Sequence, residues 1–351
     1  MKKKLLTALQ YIFFSSIALF FLWLSVKGMD AKKWRLLRDA LDRANYWLLI
    51  PVLGFLLLSH WLRALRWRQL IQPMGYNPGA VNCFLGVMIG YFVNLGPLRL
   101  GEIIKCTVLA RYEKVPADKL VGTIVAERAF DVVCLLIVFG LTLILQYEVI
   151  HSLTAGRTDS FFRNASGHTS VLRIAILIAA ATIVFLIARR AAYRLRHIGI
   201  VDRLWQIVLN IWHGLISVRG VRNKPLFFIY TAGIWGLYLV STWVGFFAID
   251  ATRHLGIIDA LSVLAMGSIA MIVSPGGIGA YPLFIQQTVA FYGVPALPDG
   301  QALGWLLWFG QFLSFILFGT ASFILLPRIN KRPHYEILLH ESTADHTGKD
   351  I

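Results

Sequence analysis

The stretch that decides the fold runs from Gly90 to Lys105 and reads GYFVNLGPLRLGEIIK. A hydrophobic arm, Ala80 to Leu95, leads into it, and a second arm, roughly Leu100 to Tyr112, leaves it. At about 1.5 Å per residue, neither arm comfortably crosses a hydrocarbon core about 30 Å thick. Gly96 and Pro97 break the helix between the arms. Two short helices around a break predict a re-entrant helical hairpin.

Two charged side chains, Arg99 and Glu102, follow this break directly. Inside a bilayer, backbone that is not helical is tolerated only where protein buries it or where it lines a water-filled cavity. The break therefore predicts a polar cavity at membrane depth. We expect Arg99 to bind a phosphate there, because its planar guanidinium donates two parallel hydrogen bonds.

A second stretch has the same pattern: residues 257–273 are apolar, residues 274–282 read SPGGIGAYP, and residues 283–294 follow. Interrupted hydrophobic segments at corresponding positions of two halves point to the binding site of a transporter. Glycines permit close backbone approach, and free N–H groups at the start of the returning helix would form an anion site. The alternative is a simple tight turn that lets helices pack.

Composition restricts the class of protein. The 351 residues are 57% hydrophobic with a mean hydropathy of +0.66, which indicates a membrane protein with several spans. The net charge is +16, but the basic residues cluster beside apolar runs, so we favour lipid headgroups over nucleic acid as their partners. The three cysteines lie in apolar segments without metal-ligand spacing, and we expect neither a cofactor nor a metal.

The hydrophobic pattern predicts an all-α protein with six spanning helices and two re-entrant hairpins. The chain repeats the order span, amphipathic stretch, span, hairpin, span, which gives one membrane domain over 1–326 with halves at about 5–145 and 171–326. A polar tail, 327–351, follows. The predicted spans cover residues 5–26, 46–62, 120–145, 171–188, 226–249 and 301–326.

Basic residues predict the orientation in the membrane. Residues 189–224 and the tail are rich in Lys and Arg and should be cytoplasmic, as should the N-terminus, whereas the loop 146–170 should lie outside. The first hairpin would then enter from the cytoplasm and the second from outside, so that the halves form an inverted repeat. The segment 27–45 carries six Lys/Arg residues and yet falls outside in this scheme.

The predicted span 120–145 carries a charged motif near its start. Glu127 and Asp131 share a helix face, and Arg128 reaches Asp131 at a spacing of three residues. Charges at membrane depth are costly, so they pair or face water. Two interpretations remain open: a structural ion pair or anchor, and a polar cluster with Arg99 and Glu102 that contacts substrate.

Three more arginines, Arg63, Arg66 and Arg68, follow the second predicted span and alternate with Trp61 and Trp67. Tryptophan and arginine together are typical of the headgroup level of a membrane, so we interpret this segment as an interfacial anchor.

The candidate substrate-binding residues lie at the two breaks, one turn beyond the second break or in the charged motif; they are Asn94, Pro97, Arg99, Glu102, Glu127, Arg128, Asp131, Ser274, Gly276, Gly277, Gly279 and Gln286.

Four motifs in order resemble the transmembrane-region family of lysylphosphatidylglycerol synthases, which is also described as flippase-like. They are Asn94…Pro97-Leu-Arg99-Leu-Gly101-Glu102, Glu127-Arg128…Asp131, Pro275-Gly-Gly-Ile-Gly279 and Tyr292-Gly293-Val294. The resemblance covers about 5–326 and implies a membrane domain that moves, or is proposed to move, lipids between leaflets.

The resemblance also sets limits. Bifunctional members of that family add a cytoplasmic aminoacyltransferase domain, and the roughly 25 residues after the last predicted span are too few for one, so lipid aminoacylation is not implied. The family often has a glutamate soon after the glycines of the second hairpin, where this chain has Pro282. Without that carboxylate the predicted site is more positive.

We therefore expect an inner-membrane lipid translocase, not an enzyme, that acts on an anionic phospholipid or a polyprenyl phosphate. One alternative is a membrane enzyme for a lipid-linked phosphate or sugar, although no Asp-rich metal motif or nucleophile–base pair supports it. Another is a non-transporting scaffold that recruits a lipid-synthesis enzyme through its basic surfaces.

Overall fold

The computed structural model describes residues 2–96, 100–146 and 216–330, and every regular element in these ranges is helical. An all-α architecture, as predicted, is confirmed for this part of the chain. The α-helices, numbered in the order in which they occur there, are α1 Lys2–Val26, α2 Ala31–Asp42, α3 Leu49–Ile71, α4 Ala80–Val93, α5 Gly101–Glu113, α6 Ala117–Leu145, α7 Lys224–Phe246, α8 Ile257–Val273, α9 Ala280–Ala290 and α10 Gln301–Ile329.

Four described helices, α3, α6, α7 and α10, are long and apolar enough to cross a membrane. The Tyr11–Val26 part of α1 meets α2 at 97°, and this bent pair would make a fifth span. The predicted span 171–188 lies outside the described residues. The count of six spans therefore stays a prediction, while a membrane protein with several spans is supported.

Helix α2 begins where Asp30 caps it. The N–H of Lys33 donates to Oδ1 of Asp30 over 2.8 Å, and this bond holds the pKa of the Asp30 carboxyl below its usual value. Leu37 and Ala40 are the buried residues of α2, and they belong to the same core cluster as Val294 and Leu303. Helix α2 therefore lies across one end of the bundle with its apolar face inward.

Helix α3 continues well past Leu62, where the sequence pattern ended the span, and runs to Ile71. Arg63 and Arg66 consequently lie on its buried side, with 5% and 0% of their surface exposed. The interpretation of both residues as headgroup-level anchors was wrong. The physical reason is that carboxylates of α6 neutralise them inside the bundle, so they need no contact with headgroups.

The bundle has two distinct ends. At one, which we call the α2 end, the Asn45 N–H donates to the Ala248 carbonyl over 2.9 Å, and Gln301 donates to the Ser25 carbonyl over 2.7 Å. At the other, which we call the Asn330 end, the side-chain amides of Asn82 and Asn330 exchange hydrogen bonds of 2.9 and 3.0 Å.

Two helical pairs enter the bundle from these opposite ends. The pair α4–α5 has its base at the Asn330 end, where Glu113 accepts from the Gly79 N–H over 2.9 Å. The pair α8–α9 has its base at the α2 end, where Gln146 of α6 donates to the Ile258 carbonyl over 3.0 Å. The second pair turns inside the bundle, where Trp308 of α10 donates to the carbonyl of Gly276 over 2.8 Å.

Glycines bring α4 and α5 into close contact. A Cβ placed on Gly101 would collide with the Gly90 carbonyl, and one on Gly90 would come within 3.0 Å of the Gly101 carbonyl. Asn94 completes the junction, because its Oδ1 accepts from the Gly101 N–H over 2.7 Å at the start of α5. Pro97 and Arg99, predicted at the tip of this pair, lie outside the described residues.

Candidate functional site

The charged motif of α6 meets two arginines of α3 inside the bundle. Arg63 Nη1 lies 3.0 Å from Glu127 Oε1 and 2.6 Å from Asp131 Oδ2. Arg66 Nη2 lies 2.7 Å from Asp131 Oδ1. The side chains of Arg66 and Glu127 have no exposed surface, and that of Arg63 has 6%. These bonds are charge-assisted and well shielded from water, so they join α3 firmly to α6.

Helix α5 adds a cation and a carboxylate to this cluster. Lys105 Nζ lies 2.7 Å from Glu127 Oε2 and 3.3 Å from Glu102 Oε2. The same ammonium sits 4.6 Å from the centre of the Trp67 ring, a cation–π contact that further offsets its burial. These contacts of Lys105 connect the α4–α5 pair to the spanning helices.

Arg128 is the outermost cation of the ion cluster. Its guanidinium lies 3.0 Å from Glu127, 3.2 Å from Asp131 and 3.7 Å from Glu102, and 43% of its side chain is exposed. The predicted pairing of Arg128 with Asp131 is therefore present. Arg128 is also the cation of the cluster that is most accessible to a ligand.

The ion cluster carries an excess of positive charge. Among the residues that the structure describes, it contains four cations and three carboxylates, so its formal charge is +1 when all are ionised; the members are Arg63, Arg66, Lys105, Arg128, Glu102, Glu127 and Asp131. An unbalanced charge inside a membrane protein is expensive unless a counter-charge or water reaches it. An anionic group bound beside the cluster would balance this excess charge.

A cavity of about 350 Å³ lies against this cluster. Arg63, Arg128 and Asp131 form its charged wall, and the remaining walls are largely apolar, with contributions from α3, α6, α7, α8 and α10. Tyr281 and Gln311, which share a hydrogen bond of 3.1 Å, add a small polar area away from the charged wall. The cavity can hold one polar group beside an apolar chain.

His60 is the most unusual polar residue of the cavity wall. It is 2% exposed, and neither ring nitrogen has a hydrogen-bond partner among the described residues. Its ring lies 4.7 Å from the ring of Tyr91 and 5.7 Å from that of Phe315, centre to centre. The buried Nε1 of Trp235, also in the wall, is unpartnered within the same described part of the chain. Such groups require a ligand or water.

The predicted site residues near the first break and in the charged motif of α6 divide into three groups. The structure brings Glu102, Glu127, Arg128 and Asp131 together in the ion cluster. Asn94 lies beside this cluster, in a small pocket of about 10 Å³ that Glu102 and Arg128 also line. Pro97 and Arg99 are outside the described residues, so their predicted roles stay predictions.

The residues of the second break lie away from the charged wall. Gly276, Gly277 and Gly279 have φ angles of 61°, 71° and 70°, which favour glycine, and none of them lines the cavity. A Cβ on Gly279 would collide with the α1 backbone at Leu22, so this turn is packed against protein. Ser274 is buried and donates to the Ile278 carbonyl over 2.9 Å.

Gln286 is separated from the ion cluster as well. It lines a groove at the α2 end, together with Ser25 of α1 and Gln146 at the end of α6.

Within the described ranges, no group of three or more His, Cys, Asp or Glu residues is placed to hold a metal ion.

Sequence reasoning missed four residues of the site: Arg63, Arg66, Lys105 and His60. A signal for three of them existed. His60, Arg63 and Arg66 follow one another at intervals of three residues, as one face of a helix does, and this predicts that α3 continues inward. The fourth residue, Lys105, lies three residues after Glu102 on α5.

The fold and the site define a helical membrane protein with several spans and a charged cavity inside its bundle. A family model described as "Lysylphosphatidylglycerol synthase TM region" matches residues 9–305. The chain belongs to this family, and the resemblance seen in its four motifs is confirmed. No curated protein and no solved structure matches the chain.

Proposed function

We propose that this protein binds a phosphate-bearing lipid by its headgroup in the central cavity and moves that lipid between the leaflets. The observation that carries the proposal is the cavity, in which a charged wall with excess positive charge adjoins apolar walls. A lipid has the same two parts, a charged headgroup and hydrocarbon chains. The family to which the chain belongs gives further support, since its description names the transmembrane region of a lipid synthase.

The phosphate would contact Arg128 first. Arg128 is the most exposed cation of the cluster, and Arg63 lies in the same wall. A guanidinium binds a phosphate through two parallel hydrogen bonds, which fixes the orientation of the headgroup. His60 and Trp235 would then donate to oxygens of the bound lipid. Arg99, predicted at the tip of the first pair, would add a further cation.

Movement between leaflets would use the two helical pairs, which enter from opposite ends of the bundle. We propose that both are re-entrant hairpins of an inverted repeat and that each opens the cavity to its own side in turn. The Asn330 end and both chain termini would be cytoplasmic, in an inner membrane. Anionic phospholipids and polyprenyl phosphates are the substrates that this charge balance favours.

The test is lipid movement by purified protein in liposomes. A fluorescent phospholipid is placed in both leaflets, and a membrane-impermeant reductant bleaches the outer one. Protein that moves lipid brings the inner pool within reach of the reductant. Bleaching identical to that of protein-free liposomes would exclude transport of that lipid. A change in the chemical composition of the lipid, measured by mass spectrometry, would instead indicate an enzyme.

Arg128→Gln should slow lipid movement about tenfold or more, because it removes a charge-assisted bond to the phosphate. Arg111→Gln is the matched control. Arg111 lies on α5, is exposed, and stacks 5.9 Å from the ring of Tyr112 without joining the ion cluster. A folded Arg128→Gln protein that moves lipid at the wild-type rate would contradict the headgroup assignment.

A competition experiment between lipids tests whether the substrate headgroup is anionic or cationic. An excess of anionic phospholipid or polyprenyl phosphate should block binding of a labelled lipid, and an aminoacylated, cationic lipid should compete less. Stronger competition by the cationic lipid would show that the carboxylates dominate the cavity and that the assignment of charge is inverted.

A further inference from the structure

A second candidate site lies at the Asn330 end of the bundle, where α3 ends and α7 begins. It is a pocket of about 420 Å³, which Arg68 and Gln69 line from α3 and Arg222 and Asn223 line from the segment before α7. We call it the Arg68 pocket. It shares no lining residue with the central cavity, so the lipid site described above does not account for it.

The walls of the Arg68 pocket are held in place by the residues around them. A buried core cluster joins the end of α3 to the start of α7; its members there are Leu70, Val218, Val221 and Phe227. Arg68 Nη2 donates to Asn77 Oδ1 over 2.8 Å, and Gln72 donates to the same oxygen over 3.1 Å. The pocket is therefore largely formed before a ligand binds, as small-molecule sites usually are.

Positive charge in the Arg68 pocket lacks a counter-charge. The described residues that line it include two arginines, Arg68 and Arg222, and no Asp or Glu. Helix α7 has 23 residues and begins at this pocket, and its N-terminus adds a partial positive charge of about half a unit. An anion with two negative charges would balance the two arginines, whereas a carboxylate or a phosphodiester brings only one.

Gln69 indicates that the anion also carries a hydrogen-bond donor. Gln69 is 8% exposed, and its Oε1 is buried without a hydrogen-bond partner among the described residues. Buried polar atoms are normally satisfied, so a ligand or water must supply the missing bond. This amide oxygen only accepts, and a matching ligand therefore offers an O–H or N–H group.

The polar groups together favour a phosphate monoester. Such a phosphate carries about 1.5 to 2 negative charges at pH 7, because its second pKa is about 6. The remaining proton, or a hydroxyl group of the attached molecule, would donate to Gln69. Sulfate has a similar charge and no proton to donate, so it matches the arginines but not the amide.

The Arg68 pocket is larger than a phosphate group and has an apolar side. Leu65 of α3 and Leu226 and Tyr230 of α7 line it beside the polar residues. Aromatic and aliphatic walls with a few polar groups are typical of sites for small organic ligands. The ring of a sugar would lie against Tyr230, and its hydroxyl groups would reach Gln69 and Gln72.

We infer that the Arg68 pocket binds a phosphorylated sugar from the water at the Asn330 end, either a free sugar phosphate or the sugar phosphate of a nucleotide. Arg68 and Arg222 would pair with the phosphate through charge-assisted hydrogen bonds. The inference goes beyond lipid movement and does not rest on it. Binding is measurable in detergent without transport, so the two ideas fail separately.

The experiment measures binding to the purified full chain in detergent by calorimetry at neutral pH. Ribose 5-phosphate, adenosine 5′-monophosphate and sulfate are titrated in turn. At least one of the two sugar phosphates should bind about tenfold more tightly than sulfate, which leaves the amide of Gln69 unpaired. The tighter of the two identifies the source of the sugar phosphate. Binding of sulfate as tight as that of both, or binding of neither sugar phosphate, would overturn the inference.

Arg222→Gln locates the site. Arg222 is exposed, so its loss should leave the fold intact and weaken binding of the sugar phosphate about tenfold. Arg219→Gln is the matched control, because Arg219 is exposed three residues earlier, removes the same charge and does not line the pocket. It should leave the affinity nearly unchanged. Equal weakening by both substitutions would reduce the effect to overall charge and overturn the site.

Gln69→Leu tests the need for a donor. It should raise the unfolding temperature of the ligand-free protein, because the unpaired amide is gone, and reduce the preference for sugar phosphate over sulfate about three- to tenfold. Gln286→Leu is the matched control, since Gln286 is also 8% exposed with an unpaired Oε1 but lines the groove at the α2 end. It should leave that preference unchanged. An unchanged preference in Gln69→Leu would overturn the choice of ligand.

Discussion

Arg63 and Asp131 are joined at 2.6 Å although they belong to different helices, α3 and α6, and are 68 residues apart in the sequence. The same guanidinium nitrogen also contacts Glu127. The contact matters because most ion-pair partners of these two buried charges belong to a different helix from the charge itself. The ion cluster thus holds helices together and is also a candidate binding site.

Arg63→Leu should destabilise the protein by about 3 kcal/mol, because it leaves buried carboxylates with fewer cations. The unfolding temperature in detergent measures this. Arg38→Leu is the control, since Arg38 pairs with Asp42 at 3.8 Å while 83% of its side chain is exposed. Such surface pairs contribute about 0–1 kcal/mol. Equal effects of the two substitutions would show that the ion cluster does not stabilise the fold.

The proposed orientation is tested by single cysteines at opposite ends of the bundle. Asp118→Cys, at the start of α6, should react with a membrane-impermeant thiol reagent only from the cytoplasm. Lys32→Cys, on α2, should react only from outside. Both positions are exposed. Labelling of the unsubstituted protein gives the background from the native cysteines, of which Cys83 and Cys106 are buried and Cys134 is partly exposed.

Labelling of both positions from the same side would contradict the placement of α2 and the start of α6 at opposite membrane surfaces. Labelling of Lys32→Cys from the cytoplasm and of Asp118→Cys from outside would invert the orientation. This second outcome would agree with the six Lys/Arg residues of segment 27–45, which the proposed orientation places on the unfavoured side.

Much of the helical architecture was predictable because it depends on local chemistry. Apolar runs, Gly96 and the glycines after Ser274 place helices and breaks without knowledge of their neighbours. The contact of Arg128 with Asp131 was predictable for the same reason, since both lie on one turn of one helix.

The membership of the ion cluster was not predictable in full, because it is decided between helices. Arginines alternating with tryptophans have the same sequence pattern at a membrane surface and on a helix whose basic face meets carboxylates. The three-residue spacing of His60, Arg63 and Arg66 favours the second case, but only the structure shows that Glu127 and Asp131 are the carboxylates opposite the arginines. The groove that Gln286 lines is likewise formed between α1, α6 and the pair α8–α9, which are distant from one another in the sequence.

The close contact of α4 and α5 should not tolerate a side chain. Gly101→Ala would place a Cβ against the Gly90 carbonyl, and backbone there cannot move without separating Lys105 from the ion cluster. We expect a loss of about 3 kcal/mol, at the upper end of the cost of overpacking. Gly122→Ala on α6 is the control, because nothing lies within 4 Å of its added Cβ.

Gly122→Ala should be neutral or stabilising, by up to about 1 kcal/mol, since alanine is the better helix former. The two substitutions are compared by unfolding temperature and by expression level. Similar stability of both variants would mean that α4 and α5 are farther apart than the structure places them.

His60→Phe should separate stability from function. The ring packs against both Tyr91 and Phe315, which also stack on each other, so phenylalanine fits the same aromatic environment and removes two unpaired nitrogens. An unpaired buried polar group costs about 1–3 kcal/mol, and the lipid-free variant should therefore be more stable by about 1 kcal/mol. Lipid movement should fall, because the imidazole no longer binds the substrate in the cavity.

His254→Phe is the control for this last variant, because His254 is exposed in the loop before α8 and, within the described part of the chain, reaches only the Tyr292 carbonyl, at 3.4 Å. It should change neither the rate of lipid movement nor the unfolding temperature appreciably. The measurements are the unfolding temperature in lipid-free detergent and the bleaching rate in liposomes. If His60→Phe is less stable than wild type, water or a neighbouring group satisfies the imidazole. Unchanged transport in a stabilised variant would remove His60 from the binding site.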